Sequence, residues 1–232
     1  MLISVSGLIG AGKDTVGDFL VDNYGFRRES FASTLKDACS AIFGWDREML
    51  EGRTKAARAE REKVDEWWAE RLEMPQLTPR WALQNFGTEV CRKGFHDDIW
   101  LASLENKLRK TTDNIVITDA RFPNELSMVQ RLNGQCVYVE RGEQPDWYDW
   151  AYRYNRTTDD EKQITMQIIA SLNESAPNPI NRRIHASEWS WIGYDFDHTI
   201  DNNGTLPQLV AAVDDLVSKI NEVVETKNLV AV

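Results

Sequence analysis

Leu2-Ile3-Ser4-Val5-Ser6-Gly7-Leu8-Ile9-Gly10-Ala11-Gly12-Lys13-Asp14-Thr15 begins as a short apolar run and then breaks into closely spaced glycines before a lysine. The residues after it place Val16, Phe19 and Leu20 on one helical face. The stretch reads as strand, glycine-rich turn, helix, and the Gly7-x-x-x-x-Gly12-Lys13 spacing in that context is that of a phosphate loop. Glycines let backbone N–H groups turn inward around a phosphate, the helix N-terminus adds positive potential, and Lys13 brings a mobile cation to the β/γ-phosphates of a nucleoside triphosphate. Gly7, Gly10, Ala11, Gly12, Lys13, Asp14 and Thr15 are the candidate nucleotide-binding residues, with ATP expected. A Ser or Thr ordinarily follows the lysine; here Asp14 stands there and the hydroxyl comes at Thr15. Magnesium accepts carboxylate oxygen, so Asp14 is a candidate Mg2+ ligand, directly or through water, and Thr15 is expected to face an inner phosphate.

Outward from this loop, strand and helix signals alternate. A second strand is expected around Phe26–Phe31, then a helix carrying Leu35, Ala38, Ile42 and Phe43. Residues 46–73 are charge-dense and read as one or two solvated surface helices. Thr78-Pro79-Arg80 opens a helix reaching about Arg92, since threonine can cap and proline is tolerated in the first turn. A helix near Asp98–Arg109 precedes Ile115-Val116-Ile117-Thr118, a β-branched run suited to a buried parallel strand that ends at Asp119. A helix from about Asn124 to Leu132, a strand over Cys136–Glu140, a last strand near Tyr194–Ile200 and a helix carrying Leu209, Val213, Leu216 and Ile220 complete the pattern. Residues 142–190 interrupt it with Trp147, Tyr148, Trp150, Tyr152, Tyr154 and later Pro177-Asn178-Pro179, and read as an insertion over the core. The expected fold is α/β, one domain over 1–232 with a parallel sheet covered by helices on both faces.

Composition limits the partners. The 232 residues carry 27 Lys+Arg against 37 Asp+Glu, a net charge of −10, which opposes broad binding to nucleic-acid backbones or anionic lipid. No run approaches the roughly 18 apolar residues of a membrane helix, and the N-terminus lacks the basic start of a signal peptide. Cys39, Cys91 and Cys136 lack metal-ligand spacing and read as reduced thiols. A cytoplasmic protein with no membrane partner is expected, and a homodimer is left open.

Asp119 and Arg121 follow a central strand, at the end where ligands of open α/β sheets collect. The carboxylate could order magnesium or the surroundings of an attacking phosphate, and the arginine could grip phosphate bidentately; an ion pair between the two is the structural alternative. Arg80, Gln84 and Thr88 fall four apart on one helical face, with Arg92 one turn further, a face suited to an acceptor or simply to solvent.

The blocks Gly7–Thr15, Thr78–Arg92 with Asp98 and Trp100, Thr118–Glu125, Tyr138–Arg141, His185–Glu188 and Asp201–Leu206 occur in an order that resembles the deoxynucleoside monophosphate kinases of bacteriophages, a family within the P-loop kinases. The resemblance spans nearly the whole chain. It implies a P-loop NTPase-type sheet, a helical acceptor-binding region over about 46–110, a lid-like insertion over about 142–190, and transfer of the ATP γ-phosphoryl group to a dNMP in host cytoplasm if phage-encoded. It assigns Arg80, Gln84, Glu89 and Arg92 to acceptor recognition or its support, with Thr88 beside them. Lys13, Asp119, Arg121 and Arg141 become the candidate catalytic residues, and Asp14 with Asp119 the candidate metal ligands. His185 and Glu188 are substrate contacts on the family pattern, or a cap and a salt bridge. Arg141, Arg153, Arg156, Arg182 and Arg183 are candidates to close over transferring phosphates, the last four reading equally as surface charges. Residues 46–73 match nothing in the family, and the stretch between Arg141 and His185 is longer than expected.

Two rivals remain on the sequence. Asp195-Phe196-Asp197-His198-Thr199 fits the Asp-x-Asp-x-Thr pattern of haloacid-dehalogenase-type phosphatases, with the first aspartate as nucleophile, although only 33 residues follow Thr199. A P-loop kinase of another small phosphorylated metabolite, or a nucleotide-binding ATPase, would share the loop; the acidic balance argues against a nucleic-acid-associated one.

Overall fold

The computed structural model describes residues 1–171 and 184–230. The strands are β1 Leu2–Ser6, β2 Arg27–Glu29, β3 Ile115–Ile117, β4 Gln135–Glu140 and β5 His198–Asp201. The helices are α1 Lys13–Tyr24, α2 Ser33–Phe43, α3 Arg47–Glu51, α4 Lys55–Arg61, α5 Glu66–Arg71, α6 Pro79–Gln84, α7 Ile99–Leu108, α8 Pro123–Arg131, α9 Tyr148–Arg156, α10 Asp159–Ser171 and α11 Leu206–Val230. A π-helical stretch, Asn85–Lys93, continues α6, and a short 3₁₀ turn covers Ala186–Glu188.

The chain packs as two compact units, Met1–Glu29 with Thr112–Val232, and Ser30–Thr111. The second unit is helical, and within it α2 packs with α3 and α6.

The first unit holds a five-stranded sheet in the order β2-β3-β1-β4-β5, every pair parallel. Alternation along the strands sends Ile3, Val5, Val116, Val137 and Val139 into one core with Val16 and Leu20 of α1 and Leu209, Val213, Leu216, Val217 and Ile220 of α11. Cys136 points the other way, toward α8, its thiol donating to the Leu126 carbonyl at 3.5 Å. Helices therefore cover both faces, as expected. The order reverses at β1, whose neighbours are β3 and β4, so the loops leaving these three strands share the topological switch point.

The last strand begins four residues later than the sequence suggests. Tyr194 and Phe196 lie in irregular chain held by side-chain contacts: the Tyr194 hydroxyl donates to Gln130 Oε1 at 2.7 Å, and the Phe196 ring packs on Tyr138 at 5.6 Å. The aromatic segment is structural where it is described. Trp150 stacks on Tyr154 at 4.7 Å, both meet Trp189 edge-on, and Asn155 Nδ2 donates at 2.8 Å to the carbonyls of Trp189 and Ile192. Pro177-Asn178-Pro179, Arg182 and Arg183 lie outside the described residues.

In the helical unit, residues 46–73 form three short helices, and they are more than a solvated surface. Asp46, Thr54 and Asp65 each accept from the backbone N–H three residues on, a repeated N-cap that starts α3, α4 and α5. Leu50 and Ala69 join Cys39, Trp45, Leu77 and Ala82 in a separate core, where Phe43 stacks on Trp45 at 4.2 Å. Ile42, expected on the apolar face of α2, is half exposed. Burial works against the Glu51 carboxylate, yet hydrogen bonds from Lys36 and Arg47 hold its pKa down to about 2 and tie α2 to α3.

Candidate phosphate-transfer site

The loop between β1 and α1 has the form its glycines require. A Cβ on Gly7 would collide with the Val139 carbonyl oxygen, so only glycine lets this turn pass β4. Gly12 caps α1 in the left-handed region at φ 100° and offers no side-chain cap. The first-turn amides of α1 are thus left by the helix for an anion. Asp14 lies within that first turn and does not cap it.

Lys13 Nζ donates to the Gly7 and Leu8 carbonyls, each at 2.9 Å, so the side chain is folded over the loop it serves. Burial and then the Arg121 guanidinium push its pKa below the ordinary lysine range, while Asp14 and Glu188 pull it back. One ammonium thus feels Arg121, Asp14 and Glu188 together: four of the predicted site residues gather around the loop.

Asp119 and Arg121 leave the C-terminal end of β3, as expected, and Asp119 is half-buried. Glu125, buried in the first turn of α8, accepts from the N–H groups of Arg121 and Phe122 at 2.7 and 3.1 Å and so fixes this turn. The Arg121 guanidinium pairs with Glu188 at 3.1 Å. His185 accepts from Ser187 N at 3.2 Å as the cap of the 3₁₀ turn that presents Glu188. Of the alternatives open for the His185 block, the cap and the salt bridge are the ones seen. Arg141 follows β4, exposed at the same edge of the sheet.

Asp14 is 81% exposed at its side chain and meets a cation that the sequence reading did not single out: Arg28 of β2 donates to Asp14 Oδ1 at 3.1 Å, and Thr118 donates to the same oxygen at 3.3 Å. Oδ2 has no hydrogen-bond partner among the described residues and is a hard donor suited to Mg2+. Among the described residues no group of three or more His, Cys, Asp or Glu could hold a metal ion. Asn202, at the end of β5, is the other residue missed; its Nδ2 donates to the Ala11 carbonyl at 2.8 Å and props the loop from beneath. Its signal was the Asn202-Asn203-Gly204 turn closing the last strand. Arg28 gave none, being one of two arginines on a three-residue strand.

The helical-unit candidates form their own group. Arg80, Gln84, Thr88 and Glu89 are exposed; Arg80 approaches Glu62 at 3.5 Å, and Glu89 pairs with Lys93 at 2.9 Å. Thr78 caps α6 as predicted, accepting from Trp81 N at 3.0 Å. From Asn85 the turns widen to i→i+5 bonds, and this stretch carries Thr88 and Arg92, the latter half-buried. The Gly87 carbonyl accepts from the buried Trp100 indole at 2.9 Å, an anchor from α7 inside the widened stretch.

The phosphatase-like motif sits at the wrong edge of the sheet. Asp195 and Asp197 precede β5; Asp197 Oδ2 accepts from Cys136 N at 2.8 Å at the start of β4, and Asp195 pairs with Arg156 at 2.8 Å. Arg156, a candidate for closing over phosphates, is thereby held at this opposite edge.

No family model matches the chain. A protein of Acanthamoeba polyphaga mimivirus named as a deoxynucleotide monophosphate kinase is 30% identical, over 61% of this chain and 74% of its own length. The deoxynucleoside-5'-monophosphate kinase of Escherichia phage T5 is 29% identical, over 57% of this chain and 73% of its own. Among solved structures, the shikimate kinase of Aquifex aeolicus aligns with 97% of this chain and 99% of its own at a TM-score of 0.41 and 12% identity. The dephospho-CoA kinase of Campylobacter jejuni aligns with 94% and 96% at 0.39 and 12%. These structural scores do not bear on the family. No helix among the described residues is long and apolar enough to cross a membrane. The two viral relatives each match across most of their own length, and their shared activity agrees with a phosphate loop at the switch point of a parallel sheet; the chain belongs to the deoxynucleoside monophosphate kinase family of phages and is a nucleoside monophosphate kinase, a phosphotransferase.

Proposed function

We propose that this enzyme transfers the γ-phosphoryl group of ATP to a deoxynucleoside monophosphate, giving dNDP and ADP. The observation that carries this reading is the convergence of Lys13, Asp14 and Arg121 on one loop, in a chain whose relatives bear dNMP-kinase names. The amides of the Gly7–Thr15 loop take the triphosphate, and Lys13 exchanges the Gly7 and Leu8 carbonyls for phosphate oxygens. Asp14, with Asp119, would hold Mg2+, which when bound offsets charge on the β- and γ-phosphates. Arg121 leaves Glu188 to grip a phosphate, and Arg141 adds positive potential from the end of β4. No general base is required, because a monophosphate oxygen is already anionic near neutral pH and needs alignment for in-line attack.

The acceptor belongs, on this reading, to the helical unit, with Arg80, Gln84, Thr88, Glu89 and Arg92 as its recognition group, and residues 142–190 serve as the lid. His185 and Glu188 act by holding Arg121 in reserve more than by touching substrate themselves. The test is an ATP-consumption screen over the common dNMPs and NMPs with Mg2+. Turnover with at least one dNMP well above every NMP is expected. ATP hydrolysis indifferent to nucleotide acceptors would overturn the reading.

A further inference from the structure

The substitution of Asp14 for the ordinary hydroxyl raises a physical problem. A carboxylate turns broadly about its last torsion and carries a charge that repels the phosphates beside it. It can serve the loop only if something fixes it and compensates that charge. Arg28 is in place to do both. Its Nη1 donates to Asp14 Oδ1 at 3.1 Å, and its Nη2 donates to the Asp14 carbonyl and to Asp18 Oδ1, each at 3.0 Å. The side chain is only 19% exposed and lies against Gly17, where a Cβ would collide with the guanidinium and with the Thr118 methyl. Thr118 adds a 3.3 Å bond to the same Oδ1. Both donors fall on one oxygen, and Oδ2 is left outward.

We propose that Arg28 is a positioning residue of the phosphate loop: with Thr118 it pins one oxygen of Asp14, so that the other is presented to the divalent cation arriving with the nucleotide. The inference rests on the nucleotide-kinase reading of the loop and adds the residue through which Asp14 replaces a hydroxyl. An outer partner of this kind orients a metal-binding carboxylate in the way outer-shell groups orient the ligands of other metal sites, and losing one typically costs about tenfold or more in metal affinity. The competing role is structural, with Arg28 merely balancing Asp14 and Asp18.

Equilibrium binding of ADP, with Mg2+ and again in EDTA, separates the two roles without any turnover. In wild type, Arg28→Ala, Arg28→Lys, Asp14→Ala and the double variant Arg28→Ala/Asp14→Ala, the following pattern is expected. Arg28→Ala weakens Mg-ADP about tenfold and leaves metal-free ADP unchanged. Arg28→Lys recovers part of the loss, since an ammonium cannot hold Asp14 Oδ1, the Asp14 carbonyl and Asp18 together. In the Asp14→Ala background the Arg28 change adds nothing. Equal losses with and without metal, or an undiminished loss once Asp14 is gone, overturn the proposal. Should Arg28→Ala fail to fold, Arg28→Lys carries the same comparison with and without Asp14. Acceptor phosphorylation by wild type is scored separately: metal-linked coupling of Arg28 to Asp14 in a protein that phosphorylates no dNMP would remove the substrate and keep this role, and the converse would do the reverse.

Discussion

One sheet carries aspartates and arginines at both ends, and the two ends do different work. Where the chain leaves β3, Asp119 is followed by Arg121, which acts on Lys13, whose pKa is depressed first by burial and then by that arginine. Where it enters β5, Asp195 and Asp197 spend themselves on Arg156, Gln130 and the Cys136 amide. The residue types are alike and the motif before β5 is the more suggestive on paper. What separates them is strand direction. In a parallel sheet the C-terminal ends gather at the switch point beside an open helix N-terminus, whereas the N-terminal ends meet returning loops that consume polar groups as caps and pairs.

The largest effect should come from the loop. Lys13→Ala is expected to lower phosphoryl transfer by roughly 10²–10³ or more, the scale of losing a charged group aimed at the transition state, with the circular-dichroism spectrum and melting curve retained. A folded variant with near wild-type turnover would erase the distinction between the two ends. Arg121→Ala should cost about 10- to 100-fold in kcat/KM for the acceptor, as a lost charge-assisted phosphate contact does, with KM for ATP much less changed. Arg80→Ala should follow the same pattern more weakly and leave stability intact, its Glu62 pair being exposed. A loss confined to ATP would place either arginine on the other substrate.

Asp14→Ala should raise the magnesium concentration for half-maximal rate and lower the maximal rate several-fold, by roughly 1 kcal/mol. Asp14→Ser should recover part of it. Because Gly12 and not Asp14 caps α1, no N-cap is lost in this variant, and an unshifted magnesium titration rules out the ligand role. The smallest effects belong to the other end. Asp197→Ala should leave transfer rates unchanged and cost about 1 kcal/mol of stability through the lost bond to Cys136 N, read by denaturant melts. Asp195→Ala, breaking an ion pair 46% and 90% exposed, should stay within about 0.5 kcal/mol and also leave activity alone. Loss of turnover in either would reopen the phosphatase reading.

The sequence by itself determined the strand-loop-helix at residues 2–24, the core strands Ile115–Ile117 and Gln135–Glu140 to within a residue or two, and the amphipathic α11. In each case period and glycine spacing are local physics that no neighbour overrides. It also placed Lys13, Asp14, Asp119 and Arg121 at the C-terminal edge of the sheet, since a β1 loop and a parallel strand end carry their location with them. Only the tertiary structure decided the rest. Packing of β2 beside α1 brought Arg28 to Asp14, and strand order brought Asn202 to Ala11 across most of the chain, contacts that no periodicity encodes. The widening of the turns after Asn85 and their anchoring at Gly87 by the Trp100 indole of another helix are likewise absent from the local pattern. The core beneath residues 46–73 was hidden by their charge, because a few buried positions among many solvated ones suffice once short capped helices aim them inward. And the Asp-x-Asp-x-Thr stretch lost its chemistry to direction alone: which end of a strand a carboxylate occupies is fixed by how the strands pair, and pairing is a property of the whole sheet.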